Sequence, residues 1–341
     1  MASKGQRDQG ASASVIAYLL RKTLGWLALI VVATNLVFFL ASALLEPRAN
    51  YLSRRPPLPE NVVDATLDRY NLNDKVSIFD RWYHWISGIV LHWDWGQSPV
   101  GDSVNGQIGF RAWTSFQLVI GATLLMTVIG VGLGVYAAVR QYRLSDRLLQ
   151  VASSFALVVP VPVVALALVI LAISINESAG STIFFVTGSS SVGISGFWPI
   201  VVDKLQHLVL PSLVLIITGY AGTQILQRSL LLDTLNSDYV RLARAKGLRR
   251  GVAVRRHALR TSLIPVATSV AFAVPAAFTG AVLTESIFAW NGMGKYFVDT
   301  ITKNDVYGVV ATAAFGAALT AVGAILSDFL LVYLDPRIRL S

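Results

Sequence analysis

An all-α integral membrane protein with six spanning helices is the fold class this sequence predicts, and three observations carry it. The chain is 54% hydrophobic and only 14% charged, with a mean hydropathy of +0.60, which lies outside the range of ordinary soluble domains. Six apolar runs are long enough to cross a bilayer, which takes about 20 helical residues. The short loops between them alternate between basic and nearly uncharged, as orientation in a membrane requires. The net charge of +9 gathers in those loops and so does not argue for nucleic acid. Zero cysteines exclude disulfides, a thiolate nucleophile and Cys-based zinc sites.

Residues 1–14 are small and polar and read as a disordered tail. The first membrane segment, 15–45, has its apolar run at 24–45 and lacks a small-residue cleavage site, so it reads as a retained span and not a signal peptide. Glu46-Pro47 ends it. Residues 46–111 then form a polar insert with seven Lys/Arg (48, 54, 55, 69, 75, 81, 111) against eight Asp/Glu (46, 60, 64, 68, 74, 80, 94, 102). Within it, Pro56-Pro57-Leu58-Pro59 predicts an extended stretch and 60–70 a short helix. An aromatic cluster follows: Trp82, Tyr83, Trp85, Trp93 and Trp95, with His84 and His92 among them. Trp and Tyr favour the headgroup level, so a subdomain hugging the membrane surface is expected. The two histidines have no carboxylate geometry around them, and no metal is assigned.

The remaining core, 112–341, carries five spans. The second is 116–139 and the third 153–175, joined by a basic turn holding Arg140, Arg143 and Arg147. Gly130, Gly132 and Gly134 lie inside an apolar span with no strand before them, which predicts close helix packing and not a dinucleotide loop. Pro160 and Pro162 fall within the third span. Breaks of this kind can line a pathway or simply kink a helix. Residues 176–199 are rich in Ser and Gly. The fourth, fifth and sixth spans are 208–232, 263–288 and 309–334, and Leu-Asp-Pro-Arg-Ile-Arg at 334–339 closes the chain. Glu285 sits near one end of the fifth span and Asp328 near one end of the sixth. A proton-coupled carrier or channel needs such groups near the midplane. Asn35 reads as a packing or hydrogen-bonding residue.

One loop does not fit a mere connector. Asn236, Ser237 and Asp238 are helix-starting residues and Gly247 is a natural stop, with Tyr239 to Lys246 between them. Tyr239, Leu242, Ala243 and Lys246 fall on one face by the i, i+3, i+4, i+7 rule. A second short basic helix is expected from about Val252, leading into the fifth span. From Arg241 to Arg260 there are eight Lys/Arg and no acid (241, 244, 246, 249, 250, 255, 256, 260). Fixing topology needs only the charge. A helix–Gly–helix insert of small residues is what a docking surface on another protein looks like.

The run Ala243-Arg-Ala-Lys-Gly-Leu248, His257-Ala-Leu-Arg260 and Leu263-Ile-Pro265 resembles the coupling loop of ATP-driven importer permeases, and of the dipeptide/oligopeptide/nickel branch in particular. Gly247 matches the loop's glycine and Ala243 its second alanine, while Arg241 and Leu242 replace the usual Glu and first Ala. The closing Leu-Asp-Pro-Arg-Ile-Arg and the Glu285-to-Gly294 stretch are similar to that family too, with Asn291 where Pro is usual. The insert's Asp94-Trp-Gly-Gln-Ser98 is a looser match.

The resemblance implies that Tyr239, Leu242, Ala243, Arg244, Ala245, Lys246, Gly247, Leu248 and His257 contact an ATPase. It further implies a heterodimer with a second homologous permease, ATP-binding subunits that hold ATP and Mg, an extracytoplasmic substrate-binding protein and a peptide cargo. Nickel, oligosaccharide and opine systems share the same pattern. Both termini would then be cytoplasmic in a cell membrane, with the 46–111 insert outside. Pro160, Pro162, Trp82, Trp85, Trp93, Trp95 and Glu285 become candidates for the pathway or its outer mouth. This chain binds no cofactor in that reading: it contains no G-x-x-x-x-G-K-[ST], H-E-x-x-H or G-x-S-x-G. A secondary transporter would need internal repeats, and an intramembrane enzyme a catalytic constellation. Neither is visible.

Overall fold

The computed structural model describes residues 2–52, 55, 56 and 58–334, with the side chains of 2–20, 250, 257, 279 and 332–334 left aside. Helices run in the order α1 (Ala2–Leu44), α2 (Ala49–Leu52), α3 (Glu60–Arg69), α4 (Ile78–His92), α5 (Val104–Val139), α6 (Leu144–Val158) and α7 (Val161–Ala179). They continue as α8 (Phe197–Leu235), α9 (Asp238–Ala245), α10 (Arg250–Ala253), a π-turn (Val254–Ala258), α11 (Leu259–Ile287), α12 (Met293–Thr302) and α13 (Val306–Leu334). The six helices α1, α5, α7, α8, α11 and α13 contain segments long and apolar enough to span a membrane. In lipid every backbone polar group must be satisfied within the segment, so helices are the economical solution for these runs.

Helix α8 is the hub. It packs on α5, α6, α7 and α11, while α13 joins α11 to α1 at the periphery. The α5–α8 contact is the closest kind that backbone allows. A Cβ on Gly130 would lie 2.8 Å from the carbonyl oxygen of Tyr220, and one on Gly134 2.7 Å from that of Gln224. These two glycines are one helical turn apart on the face towards α8, the small-residue spacing that lets two helices touch backbone to backbone. Gly132, on the other side, has open space around it. The glycine run therefore serves packing, with two of its three members in the contact.

Several expected boundaries shift. The composition of 2–14 predicted disorder, yet α1 begins at Ala2. Its Ala, Lys, Gln and Arg are good helix formers appended to an apolar helix that is already nucleated. The second span starts twelve residues early, at Val104, because Ser103 caps it, its hydroxyl accepting from the Gly106 amide at 3.4 Å. The expected 46–111 insert thus includes the first two turns of α5.

The third span is not continuous. Val159 is extended (φ −68°, ψ 124°), α6 stops at Val158, and Pro160 stands as the cap of α7. Proline lacks the N–H that would continue the ladder and pushes the residue before it out of helical geometry. Only α7 is a candidate span here, and α6 is a separate helix packed on α8. Pro160 and Pro162 therefore mark a helix start, not a kink within a span.

The structure allows a sharp test of the α5–α8 contact. Gly134→Leu should lower the thermal unfolding midpoint of the detergent-solubilised chain, by overpacking worth about 1–3 kcal/mol. Gly132→Leu should leave it unchanged. Equal midpoints for the two variants would overturn the assignment of this face.

Candidate functional site: a helical knuckle and a capped outer insert

The knuckle is built from the end of α8 outward. After Leu235 the chain turns through Asn236 and Ser237, and α9 begins with Asp238 in its first turn, a favourable charge at a helix N-terminus. The helix ends on Gly247, whose φ is +89°. The Gly247 amide donates to the Arg244 carbonyl at 3.0 Å and the Leu248 amide to that of Ala243 at 3.3 Å. This is a Schellman stop, which places its C′ residue in left-handed geometry and so favours glycine. No atom crowds a Cβ added at Gly247, so backbone conformation alone demands the residue.

The two faces of α9 have different tasks. Val240 (2% exposed) and Ala243 (8%) are turned inward. Val240 packs into a small core with Ala138 of α5, Leu231 of α8 and Ala258 of the π-turn. Tyr239 (45% exposed), Leu242 (57%), Arg244, Ala245 and Lys246 face outward.

The sequence reading put Ala243 on the outer face with Tyr239. At about 100° per residue, Ala243 lies some 40° from Tyr239 on the Val240 side, and its small Cβ makes it the natural contact residue. Val240 itself is the anchor that reading missed, although the i, i+3 pair of Val240 and Ala243 was its signal.

Beyond Leu248, α10, the π-turn and α11 follow one another without a break in helical dihedrals, since Ala253, Ala258 and Leu259 are all right-handed. The second basic helix therefore starts at Arg250 and merges directly with the fifth span. Ala253 and Ala258 are fully buried, while Arg255 and Arg256 project outward. π-turns are uncommon and concentrate at functional sites. His257 lies in this π-turn, its side chain outside the described set. Both α9 and the end of α8 touch the π-turn.

The far end of α11 is fixed in another way. Glu285 is fully buried. Ser115 of α5 donates its hydroxyl to the Glu285 carboxylate at 2.5 Å, and the Lys295 amide donates at 3.0 Å. The Met293 amide in turn donates to the Ser115 hydroxyl at 2.8 Å. Glu285 thus caps the start of α12 and ties α11, α12 and α5 together. Gly292 and Gly294 leave room for it, since a Cβ on Gly292 would fall 2.4 Å from the carboxylate. The carboxylate expected at the pathway or its mouth is thus a helix cap, and Ser115 beside it lines an apolar cavity of about 380 Å³. Glycines seven and nine residues after a glutamate were the available signal.

The 46–111 insert shows the same division between support and exposure. Trp85 (4% exposed) stacks on Phe38 of α1 with ring centroids 4.7 Å apart, and on Tyr307 of α13 at 6.5 Å. Trp95 meets Trp85 edge-on at 6.4 Å and accepts its indole N–H at the backbone oxygen. Trp82 donates its indole N–H to Asn35 at 2.6 Å and stacks on Phe39. Trp82 and Trp85 therefore pin α4 to α1 and α13, and Trp95 packs on Trp85 behind them. Trp93 (68% exposed) and Tyr83 remain outward.

An ionic brace holds the start of the insert. Arg48 reaches Asp64 at 2.7 Å and Asp74 at 2.6 Å, and Lys75 reaches Glu60 and Asp64, each at 2.7 Å. Hydrogen bonds from Lys75 and then Arg48 hold the Asp64 carboxyl below the ordinary carboxylate range, and Arg48 does the same for Asp74.

Residues 130–340 of the chain match the family described as the binding-protein-dependent transport system inner membrane component. The oligopeptide transport system permease protein OppB of Mycobacterium tuberculosis (strain ATCC 25618 / H37Rv) is 39% identical over 325 residues, 95% of this chain and 99% of that protein. The oligopeptide transport system permease protein AppB of Bacillus subtilis (strain 168) is 32% identical over 95% of this chain and 99% of its own length. The dipeptide transport system permease protein DppB of Escherichia coli (strain K12) is 29% identical over 73% of this chain and 80% of its own.

The ionic brace implies a pH dependence of known sign. Because folding lowers both carboxyl pKa values, the brace contributes fully above the unfolded value of about 3.9. That contribution is lost as the pH falls through the folded values. Limited proteolysis of the solubilised chain should cut within 53–76 readily at pH 3 and slowly at pH 6. Arg48→Met should give the fast pattern already at pH 6, and an Arg48→Met pattern as slow as the parent's would remove the brace from the account.

Proposed function

This chain belongs to the family of binding-protein-dependent transport system inner membrane components, and we propose that it forms half of the translocation pathway of an ATP-driven peptide importer. A permease subunit does no ATP chemistry of its own. In this reading ATP and Mg are held by partner ATPase subunits, a second homologous permease completes the pathway, and an extracytoplasmic binding protein delivers the peptide. The peptide cargo is the one for which the related oligopeptide and dipeptide permeases are named.

The observation that carries the coupling role is the two-faced α9. Its inner face is fixed to α5, α8 and the π-turn through Val240 and Ala243, leaving Tyr239, Leu242, Arg244 and Lys246 free for a partner. A helix so anchored transmits force from a docked ATPase directly into α8 and α11. Ala245, Gly247, Leu248 and His257 complete the proposed ATPase contact. The 140–147 turn and the 236–265 loop carry the excess of Arg and Lys, which supports a cytoplasmic location for both, and for both chain ends. The outer insert lies at the opposite ends of α1 and α13, and its exposed Trp93 and Tyr83 are positioned to meet the binding protein.

Two experiments test this reading. In proteoliposomes with the cognate ATPases and binding protein, Gly247→Val should reduce peptide-stimulated ATP hydrolysis at least tenfold, because left-handed geometry costs a β-branched residue about 1–3 kcal/mol. Basal hydrolysis and membrane insertion should stay intact, and unchanged stimulation would remove the coupling role from α9. In intact cells, Tyr83→Cys should react with a membrane-impermeant maleimide, whereas Leu144→Cys should react only after permeabilisation. The reverse pattern would overturn the orientation.

A further inference from the structure

Where α5 ends, the molecule opens into a cavity of about 630 Å³ that the proposed peptide pathway and the ATPase face of α9 leave unused. Arg140 and Arg143, just past the end of α5, line it from one side. Arg249 and Arg255, before α10 and within the π-turn, line it from the other. Its floor is apolar, with Val135 and Val139 from the last turns of α5 and Val252 from α10. Val139 and Val252 remain more than a third exposed.

Among the described residues no carboxylate borders the cavity. The nearest acid in sequence, Asp146, is already committed, accepting from Arg228 at 2.7 and 2.8 Å and from the Tyr142 amide at 2.9 Å. Arg140 lies over the Tyr136 ring at 4.3 Å. Arg143, Arg249 and Arg255 form no ion pair among the described residues.

We propose that this cavity is a binding site for an anionic phospholipid, its phosphate held by the four guanidinium groups and the start of an acyl chain laid on the valines. Two features favour a lipid over an acidic segment of a partner protein. The valine floor continues an apolar transmembrane helix to the level where headgroups begin, so the site is charged at its rim and apolar along its wall, as an amphiphile requires. None of the outward residues of α9 contributes to the lining; Arg244 borders a separate, smaller cavity with Gln141 and Asn236. Basic pockets between spanning helices bind acidic headgroups by the same physics: planar guanidinium forks match phosphate oxygens, and apolar contact fixes the lipid in place. Such a lipid would bridge the end of α5 to the π-turn and so brace the segment from which α11 departs.

The test uses the full-length chain in nanodiscs of phosphatidylethanolamine containing phosphatidylglycerol, released into the gas phase for native mass spectrometry. The unmodified chain should retain phosphatidylglycerol selectively. The triple variant Arg143→Gln, Arg249→Gln, Arg255→Gln should lose it, with apparent affinity down on the order of a hundredfold for three charges. Replacing the same three residues by Lys should largely restore retention, which separates lost charge from lost folding.

Equal retention by the Gln variant, or equal retention of phosphatidylethanolamine, would overturn the proposal. Inorganic phosphate that displaces the lipid at millimolar concentration would assign the site to a soluble anion instead. If the Gln variant keeps its lipid but no longer co-purifies with its ATPases, the arginines serve a protein contact and the lipid site is wrong.

Discussion

The structure depends above all on how closely α5 and α8 can approach. In a membrane, helices gain little from burying apolar surface against one another, since lipid is equally apolar, and van der Waals contact has to hold them. That attraction falls off within an ångström or so, and at Gly130 and Gly134 the α8 backbone occupies the space where side chains would otherwise stand. The contact has a cost. Gln224, fully buried in α8 beside this face, leaves both ends of its amide without a hydrogen-bond partner among the described residues. The helices α5, α6, α7 and α11 all pack on α8, and α9 hangs from its end.

From that hub the chain forms a continuous mechanical frame. The α9 helix rests on α5, α8 and the π-turn; α11 leaves the π-turn without a flexible joint and arrives at Glu285, whose carboxylate is bonded to α5 and to the first turn of α12. Asp305 then closes α12 and caps α13, accepting from the Gly308 amide at 3.0 Å. Burial pushes the Asp305 carboxyl up to about 6. The α13 helix returns along α11 to where Lys22 of α1 pairs with Asp328. Both ends of α11 are fixed in this way, and Pro265 and Pro275 within it are the points where its hydrogen-bond ladder is interrupted.

The number and kind of spans were legible because they depend on composition over about twenty residues, a signal that local detail does not disturb. Their ends were less so. Pro160 was noticed, yet only the geometry of Val159 shows that it separates two helices and does not bend one. Gly247 was legible in full, since a left-handed helix stop is a demand made by the local backbone alone. The orientation of α9 was harder, because an alanine near the edge of a helical face can belong to either side until its neighbour Val240 finds a pocket. The tryptophans were read as a group by their chemistry; Phe38 and Tyr307, which separate Trp85 from Trp93, are distant in sequence and leave no local trace. Of the family-like tail at 334–339, residues 335–339 lie outside the described residues.

The aromatic stack of Phe38, Trp85 and Tyr307 also dictates a timetable. Phe38 belongs to the first span and Tyr307 to the start of the last, so the hydrophobic core beneath the outer insert is assembled from the two ends of the polypeptide. During synthesis α4 emerges long before Tyr307 exists, so Trp85 first has Phe38 and Trp95 and gains Tyr307 last. The core beneath the 46–111 insert is therefore completed only once the last span has joined the first. A truncated or wrongly inserted chain leaves Trp85 without its Tyr307 cover, an apolar flag that a fully assembled chain does not show.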